Sequence, residues 1–271
     1  MECRSFAETV PVLIDLLAFE QVSEAPNTVT FKHPNTPWLL AVHEGGAEAP
    51  EKPMHNHFGV RVEKKLETDA AWEYVNAHKD EYGLYELRPQ EYNHGSYSIH
   101  FREPGSNGWE IECYEDVLRK ESGGLRLGGV RSRHWETPLL PERFPGRGYV
   151  PQAFTHGTLA CSDAPTYGRF LSEVLGLEDI RATPHVTYTK AATTKNYIVC
   201  LEQPGPNPFS PNFRFTISVE SPQAVEAAHR WLQGSKTEFA LRELGPLRSE
   251  GESASFLLRD YDGNWWEIAA E

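Results

Sequence analysis

The sequence predicts an α+β chain of four βαβββ units, and three observations lead there. Short segments with a period of two flank segments with a period near 3.6, the pattern of one-sided strands around amphipathic helices. The two halves repeat: Phe58, Val62, Ala70, Ala71, Asn107, Trp109, Glu110 and Ile111 fall at a constant offset from Phe215, Val219, Ala227, Ala228, Asn264, Trp266, Glu267 and Ile268. A looser match sets residues 17–20 against 175–178 and divides each half again, giving units over 1–50, 54–116, 152–203 and 210–271.

Unit 1 opens with a helical segment, 6–19, whose Val10, Leu13, Ile14 and Leu17 share one stripe. Strands follow at 28–31 and 38–44, parted by the turn residues HPNTP, and 45–53 is a linker. The counterpart of the strand that opens unit 3 would fall before Met1, so unit 1 is expected to lack its first strand. In unit 2, Phe58, Val60 and Val62 alternate with His57, Gly59 and Arg61. The helix at 66–79 offers Ala70, Ala71, Tyr74 and Val75 to the apolar faces of the strands. Tyr97, Ile99 and Phe101 oppose Ser98 and His100, and Trp109, Ile111 and Cys113 oppose Glu110 and Glu112.

Residues 117–151 are rich in Gly, Pro and Arg, show no period, and read as a long connection. Unit 3 has a strand at 154–161, a helix over 162–177 capped by Ser162 or Asp163, and strands at 186–190 and 196–202. After the link at 204–212, unit 4 has a strand at 213–220, a helix from Pro222 to about Trp231, and a closing segment that ends in NWWEIAAE.

Composition narrows the function. The formal charge of −13 argues against a nucleic-acid groove or an anionic membrane surface and leaves a small molecule as the expected partner. No apolar run approaches the roughly 18 residues that cross a bilayer. The opening MECRSFAETV lacks the basic and apolar regions of a signal peptide, so a soluble, cytoplasmic protein is expected. Cys3, Cys113, Cys161 and Cys200 are far apart and form no CxxC, which fits reduced, buried thiols.

His57 opens one strand of unit 2 and Glu110 lies inside its last, both on polar faces, so a βαβββ unit would present them as two metal ligands to one cavity. The plain alternatives are a strand-start histidine and a surface carboxylate, the latter at odds with the core residues Trp109 and Ile111 on either side.

THGTLACSDAPTYGRFLSEVLGLE, HNHFGVRV, FREPGSNGWEIE and LRDYDGNWWEI resemble the vicinal oxygen chelate superfamily, which includes glyoxalase I, bleomycin-resistance proteins and type I extradiol dioxygenases. The resemblance covers nearly the whole chain and implies two glyoxalase-like domains, 1–116 with units 1 and 2 and 152–271 with units 3 and 4, joined by 117–151. In extradiol enzymes the metal sits in the C-terminal pair, at positions that are His156, Arg214 and Glu267 here. Arg214 cannot ligate a metal, so a vestigial site with an Arg214–Glu267 ion pair is expected. Some members pair units across the halves. Pairing unit 2 with unit 3 would gather His57, Glu110 and His156, the two-histidine, one-carboxylate set of non-haem Fe(II) oxygenases.

On that resemblance, His100 lies near the position of a substrate-contacting tyrosine and His94 in a loop that carries a histidine, so both are candidate catalytic acid–base groups. His55 reads as a supporting or solvent residue and Tyr97 as core. Tyr188, His185 and Glu202 have the parity to reach the cavity, and Arg61 is a candidate for a substrate anion or a salt bridge. The implied function is an Fe(II)-dependent extradiol-type dioxygenase acting on a catechol-like aromatic substrate and O₂, with Mn(II) or Zn(II) as other metals. The alternatives are a non-oxidative isomerase, lyase or hydrolase of the same fold and a metal-free binder of an aromatic compound. A homodimer is expected if unit 1 leaves a sheet edge unpaired.

Overall fold

The computed structural model describes residues 1–93, 96–115, 135, 137–205 and 207–270, and structural statements refer to these. Unit 1 holds β1 (Glu2–Cys3), α1 (Phe6–Pro11), β2 (Glu20–Ala25), β3 (Thr28–Lys32) and β4 (Leu39–Glu44). Unit 2 holds β5 (His57–Arg61), α2 (Lys65–Ala77), β6 (Tyr85–Asn93), β7 (Ser96–Arg102) and β8 (Gly108–Cys113). Unit 3 holds β9 (Ala153–Cys161), α3 (Ala164–Glu173), β10 (Glu178–Ala182), β11 (Val186–Lys190) and β12 (Tyr197–Glu202). Unit 4 holds β13 (Arg214–Ser218), α4 (Pro222–Ser235), β14 (Glu243–Leu244), β15 (Arg248–Glu250), β16 (Ser253–Arg259) and β17 (Trp265–Ala270).

Within each unit the first strand lies parallel to the last and the others follow antiparallel. Unit 1 does have its first strand, cut down to Glu2 and Cys3 and paired with His43 and Glu44. The expectation that it is missing is corrected, and the reason for expecting a dimer lapses with it. Two residues carry no readable period, which is why the sequence hid the strand. The polar strands β2, β6 and β10 were hidden for a related reason: each is the outermost strand of its sheet, and β6 contains Pro89.

The predicted helix at 6–19 is broken by chemistry. Pro11 has no N–H to give, and the chain widens into a π-type turn over Val12–Leu16 before β2. The helices of units 3 and 4 start at capping side chains. Asp163 accepts from the Thr166 N–H at 2.8 Å and Ser221 from the Ala224 N–H at 3.2 Å.

One eight-stranded sheet runs β10-β11-β12-β9-β5-β8-β7-β6, so units 2 and 3 are a single hydrogen-bonded layer with β5 and β9 antiparallel at its centre. The predicted boundary between halves therefore cuts through a sheet. Units 1 and 4 keep separate sheets and meet through side chains. Trp38 packs edge-on against Phe215, and Glu2 accepts from Ser210 and Asn212. The apolar faces merge into one core in which Phe19, Phe58, Trp109, Phe154, Phe213 and Trp266 are buried. Among the described residues, no helix is long and apolar enough to cross a membrane.

The repeat is visible in its turns. Between β7 and β8, Glu103 accepts from the Asn107 N–H at 3.0 Å, its side-chain amide at 2.6 Å and the Thr9 hydroxyl at 2.7 Å. Between β16 and β17, Asp260 accepts from the backbone N–H of Asp262 and Asn264 and from Trp266 Nε1, each at 2.9 Å, and from the Tyr167 hydroxyl. The asparagines then reach the first strand of the preceding unit. Asn107 donates to the Glu2 carbonyl at 3.1 Å and Asn264 to the Ala160 carbonyl at 3.0 Å. Asp260→Ala would leave these donors unpaired in the interior, and we expect a loss of about 3 kcal/mol or more in unfolding free energy by denaturant titration.

Candidate metal centre

Strand register builds the site. In the parallel pair β5–β8, Glu110 lies beside Gly59, two residues past His57. In the antiparallel pair β5–β9, His156 lies opposite the same glycine. Three adjacent strands thus aim three side chains at one point, and one donor atom from each of His57, Glu110 and His156 lies within 4.8 Å of the others. Glu110 Oε2 is 3.1 Å from His156 Nε2 and 3.5 Å from His57 Nε2. Gly59 is needed for this, because a Cβ there would overlap the His156 ring. The His156 ring also stacks on Tyr197, with centroids 5.1 Å apart, and stands edge-on to His57.

Hydrogen bonds choose which nitrogen faces inward. His57 Nδ1 lies 2.9 Å from the Met54 carbonyl, which can only accept, so Nδ1 carries the proton and Nε2 is bare. His156 Nδ1 is 3.2 Å from Thr155 Oγ1. That hydroxyl gives its own proton to Glu112 at 2.8 Å or the Gly59 carbonyl at 3.1 Å, and so accepts from Nδ1–H. Two Nε2 atoms and a carboxylate oxygen turned toward each other need a positive charge among them. A proton on His156 supplies it, and a divalent cation with nitrogen and oxygen ligands fits the same place.

The ionisation of the site follows from this. Burial works against charge on His156, but the Glu112 charge and hydrogen bonds to Glu110 and Glu112 outweigh it and raise its pKa to about 9. Burial opposes ionisation of Glu110 as well, yet the hydrogen bond from His156 and the facing His57 and His100 imidazoles hold it well below the usual carboxylate range. Glu112, equally buried, is brought down to about 2 by Arg61 and His156.

The recess above these groups has Tyr114, Tyr188, Tyr197, Val199 and Leu201 as its wall. Of the unit 3 candidates only Tyr188 reaches it. His185 is exposed and paired with Glu202 at 2.6 Å. His100 does not line the recess: it is 4 % exposed, lies across the strand pair from Glu110, and brings Nε2 to 3.7 Å from Glu110 Oε1. Burial lowers its pKa to about 4, so it is neutral at ordinary pH. His94 falls outside the described residues. His55 is half-buried, and Tyr97, on the helix side of the sheet, donates to Asp69 at 2.7 Å.

Arg61 is engaged within the protein. It is buried against Glu112, with Nη2 at 2.6 Å and Nε at 3.2 Å. In the other half the expected ion pair is present: Arg214 Nε donates to Glu267 Oε2 at 2.8 Å, and its Nη1 lies 3.5 Å from His43 Nε2. Sequence reasoning missed Gly59, Thr155 and Tyr197 as site residues. Parity alone could have found Glu112 and Tyr114, since both follow Glu110 in alternation, Glu112 on β8 and Tyr114 just past its end. Gly59 required knowledge that β9 lies against β5.

Gly59→Ala is expected to displace the His156 ring and cost about 1–3 kcal/mol of stability, with the largest ring-proton shifts at His156 by NMR. For the metal-free protein, the raised His156 pKa gives a signed expectation. Its contribution to stability is full below the unfolded value of 6.5 and is lost as pH rises through about 9. Unfolding titrations over that interval, beside His156→Gln in which the slope is reduced, check it.

No protein-family model matches the sequence, and no curated protein matches it. Solved structures do match. A Bacillus subtilis protein provisionally described as a dioxygenase superposes with a TM-score of 0.64 at 12 % identity, covering 99 % of this chain and 82 % of its own. Glyoxalase I from Zea mays superposes with a TM-score of 0.63 at 13 % identity, covering 99 % and 89 %. At such identity the likeness is one of fold. This chain has the fold of those proteins, a glyoxalase-like one, with His57, Glu110 and His156 gathered where its second and third units join.

Proposed function

We propose that the protein is a metal-dependent, extradiol-type ring-cleaving dioxygenase acting on a catechol-like or other vicinal-oxygen aromatic substrate. The observation that carries this reading is the count of ligands. Units 2 and 3 are related by the antiparallel β5–β9 pair, so each position in one has a counterpart in the other. Glu110 lies beside the residue two past His57, and the residue beside the one two past His156 is Val199. The fourth corner of a symmetric site is therefore an isopropyl group, and it faces the recess.

His57, His156 and Glu110 would hold the ion from one side and leave the side toward Val199, Tyr188 and Leu201 free of protein ligands. Two histidines and one carboxylate suit Fe(II) for oxygen chemistry, with Mn(II) and Zn(II) accepted by the same donor types. When bound, such a metal supplies Lewis acidity toward two adjacent substrate oxygens and open positions for substrate and O₂. The chain does the rest. Gly59 and Tyr197 fix the His156 ring, His100 backs the second oxygen of Glu110, and the aromatic and aliphatic wall would lie against a planar substrate ring.

Anaerobically purified protein is expected to bind one Fe(II) per chain and to consume O₂ with at least one member of a catechol panel. His57→Ala, Glu110→Ala and His156→Ala should each weaken metal binding by more than about 100-fold, since loss of an outer-sphere partner alone costs about 10–100-fold. Turnover without oxygen uptake would replace oxidation by an isomerase, lyase or hydrolase reaction. Absence of metal binding in wild type would leave an aromatic-binding protein.

A further inference from the structure

We propose that Glu112, anchored by Arg61, is the positioning residue of the metal centre, fixing the ring nitrogen that His156 presents. The inference rests on the metal-binding reading above.

A buried ion pair needs a reason. Glu112 is 1 % exposed and Arg61 2 %, and removing two charges from water costs enough that apolar residues of similar volume often serve stability as well or better. The surroundings indicate what the pair does. Glu112 Oε1 accepts from Arg61 Nη2 and Nε, accepts from the Thr155 hydroxyl at 2.8 Å, and lies 3.6 Å from His156 Nδ1. The Tyr197 hydroxyl is 3.5 Å from the same oxygen. The carboxylate thus stands behind His156, on the side away from Glu110.

Its placement repeats the logic of the site. Arg61 and Glu112 are register partners on β5 and β8, as Gly59 and Glu110 are two residues earlier. On one face, β5 carries His57, the space that admits His156, and then the anchor. On the same face, β8 carries Glu110 and then its support. A carboxylate behind Nδ1 stabilises the tautomer with the proton on that atom, turns the bare Nε2 toward Glu110, and raises the basicity of that nitrogen. Arg61 holds the carboxylate in a fixed fork, which a lysine could not do. Glu112 acts through His156.

Mn(II) binding by calorimetry, together with NMR of the His156 ring nitrogens in metal-free protein above the pH at which that ring loses its proton, tests the proposal. Glu112→Gln keeps the shape and an acceptor but leaves the Arg61 charge uncompensated, so the paired variant R61M/E112L removes both charges at once. We expect the paired variant to fold with a Tm close to wild type. Its Mn(II) Kd should rise about 10–100-fold, and the His156 ring should pass from the single Nδ1–H form to a mixture of tautomers. Unchanged affinity and an unchanged tautomer in either folded variant would overturn the role of Glu112. Wild type that fails to bind Mn(II), as His156→Ala does, would sink the metal reading instead, and the tautomer measurement would still decide whether Glu112 orients the ring.

Discussion

The antiparallel pairing of β5 with β9 is the constraint on which the remainder hangs. It fuses units 2 and 3 into one sheet, sets His156 against Gly59, and carries one half's imidazole over the other half's backbone to a carboxylate. Because side chains alternate along a strand, a slip of one residue in that pairing would send His156 to the apolar face and dissolve the site. The pairing is secured by further hydrogen bonds as well. The Asn56 side chain donates to the Thr158 carbonyl, the His57 N–H donates to the Thr158 hydroxyl, and Gln152 N–H donates to the Arg61 carbonyl.

What could be read from the sequence follows from what periodicity can carry. The strands of units 2 and 4 that face a core on one side announced themselves, and so did the ligand pair His57 and Glu110, which an alternating pattern places on one face. His156 was legible as a strand histidine, and its role depended on which units pair, a fact that lies in tertiary contacts. The edge strands β2, β6 and β10 were illegible because polar residues at a sheet margin have no buried face to mark. The break in the first helix had a sign in Pro11, but the stripe of Val10, Leu13, Ile14 and Leu17 ran through it and masked the interruption.

Charge is concentrated at the centre. Glu110, Glu112, His156 and Arg61 are buried within one small volume, and each is ionised because of its neighbours. Such a network is tolerable only when every member is paired. It also makes the centre sensitive to the loss of any one group, the flanking residues included. The glycine, the threonine hydroxyl and the stacked tyrosine each hold His156 from a different direction.

The corresponding place in unit 4 solves the same electrostatic problem with no outside help. There Arg214 brings its own permanent charge to Glu267, tethered to the chain and independent of what the surroundings contain. The molecule thus has one buried cluster whose balancing positive charge comes from solution, as a proton or, on the reading proposed above, as a metal ion, and one whose balancing charge is covalently attached. On that reading, starvation for metal would alter the first and leave the Arg214–Glu267 pair as it is.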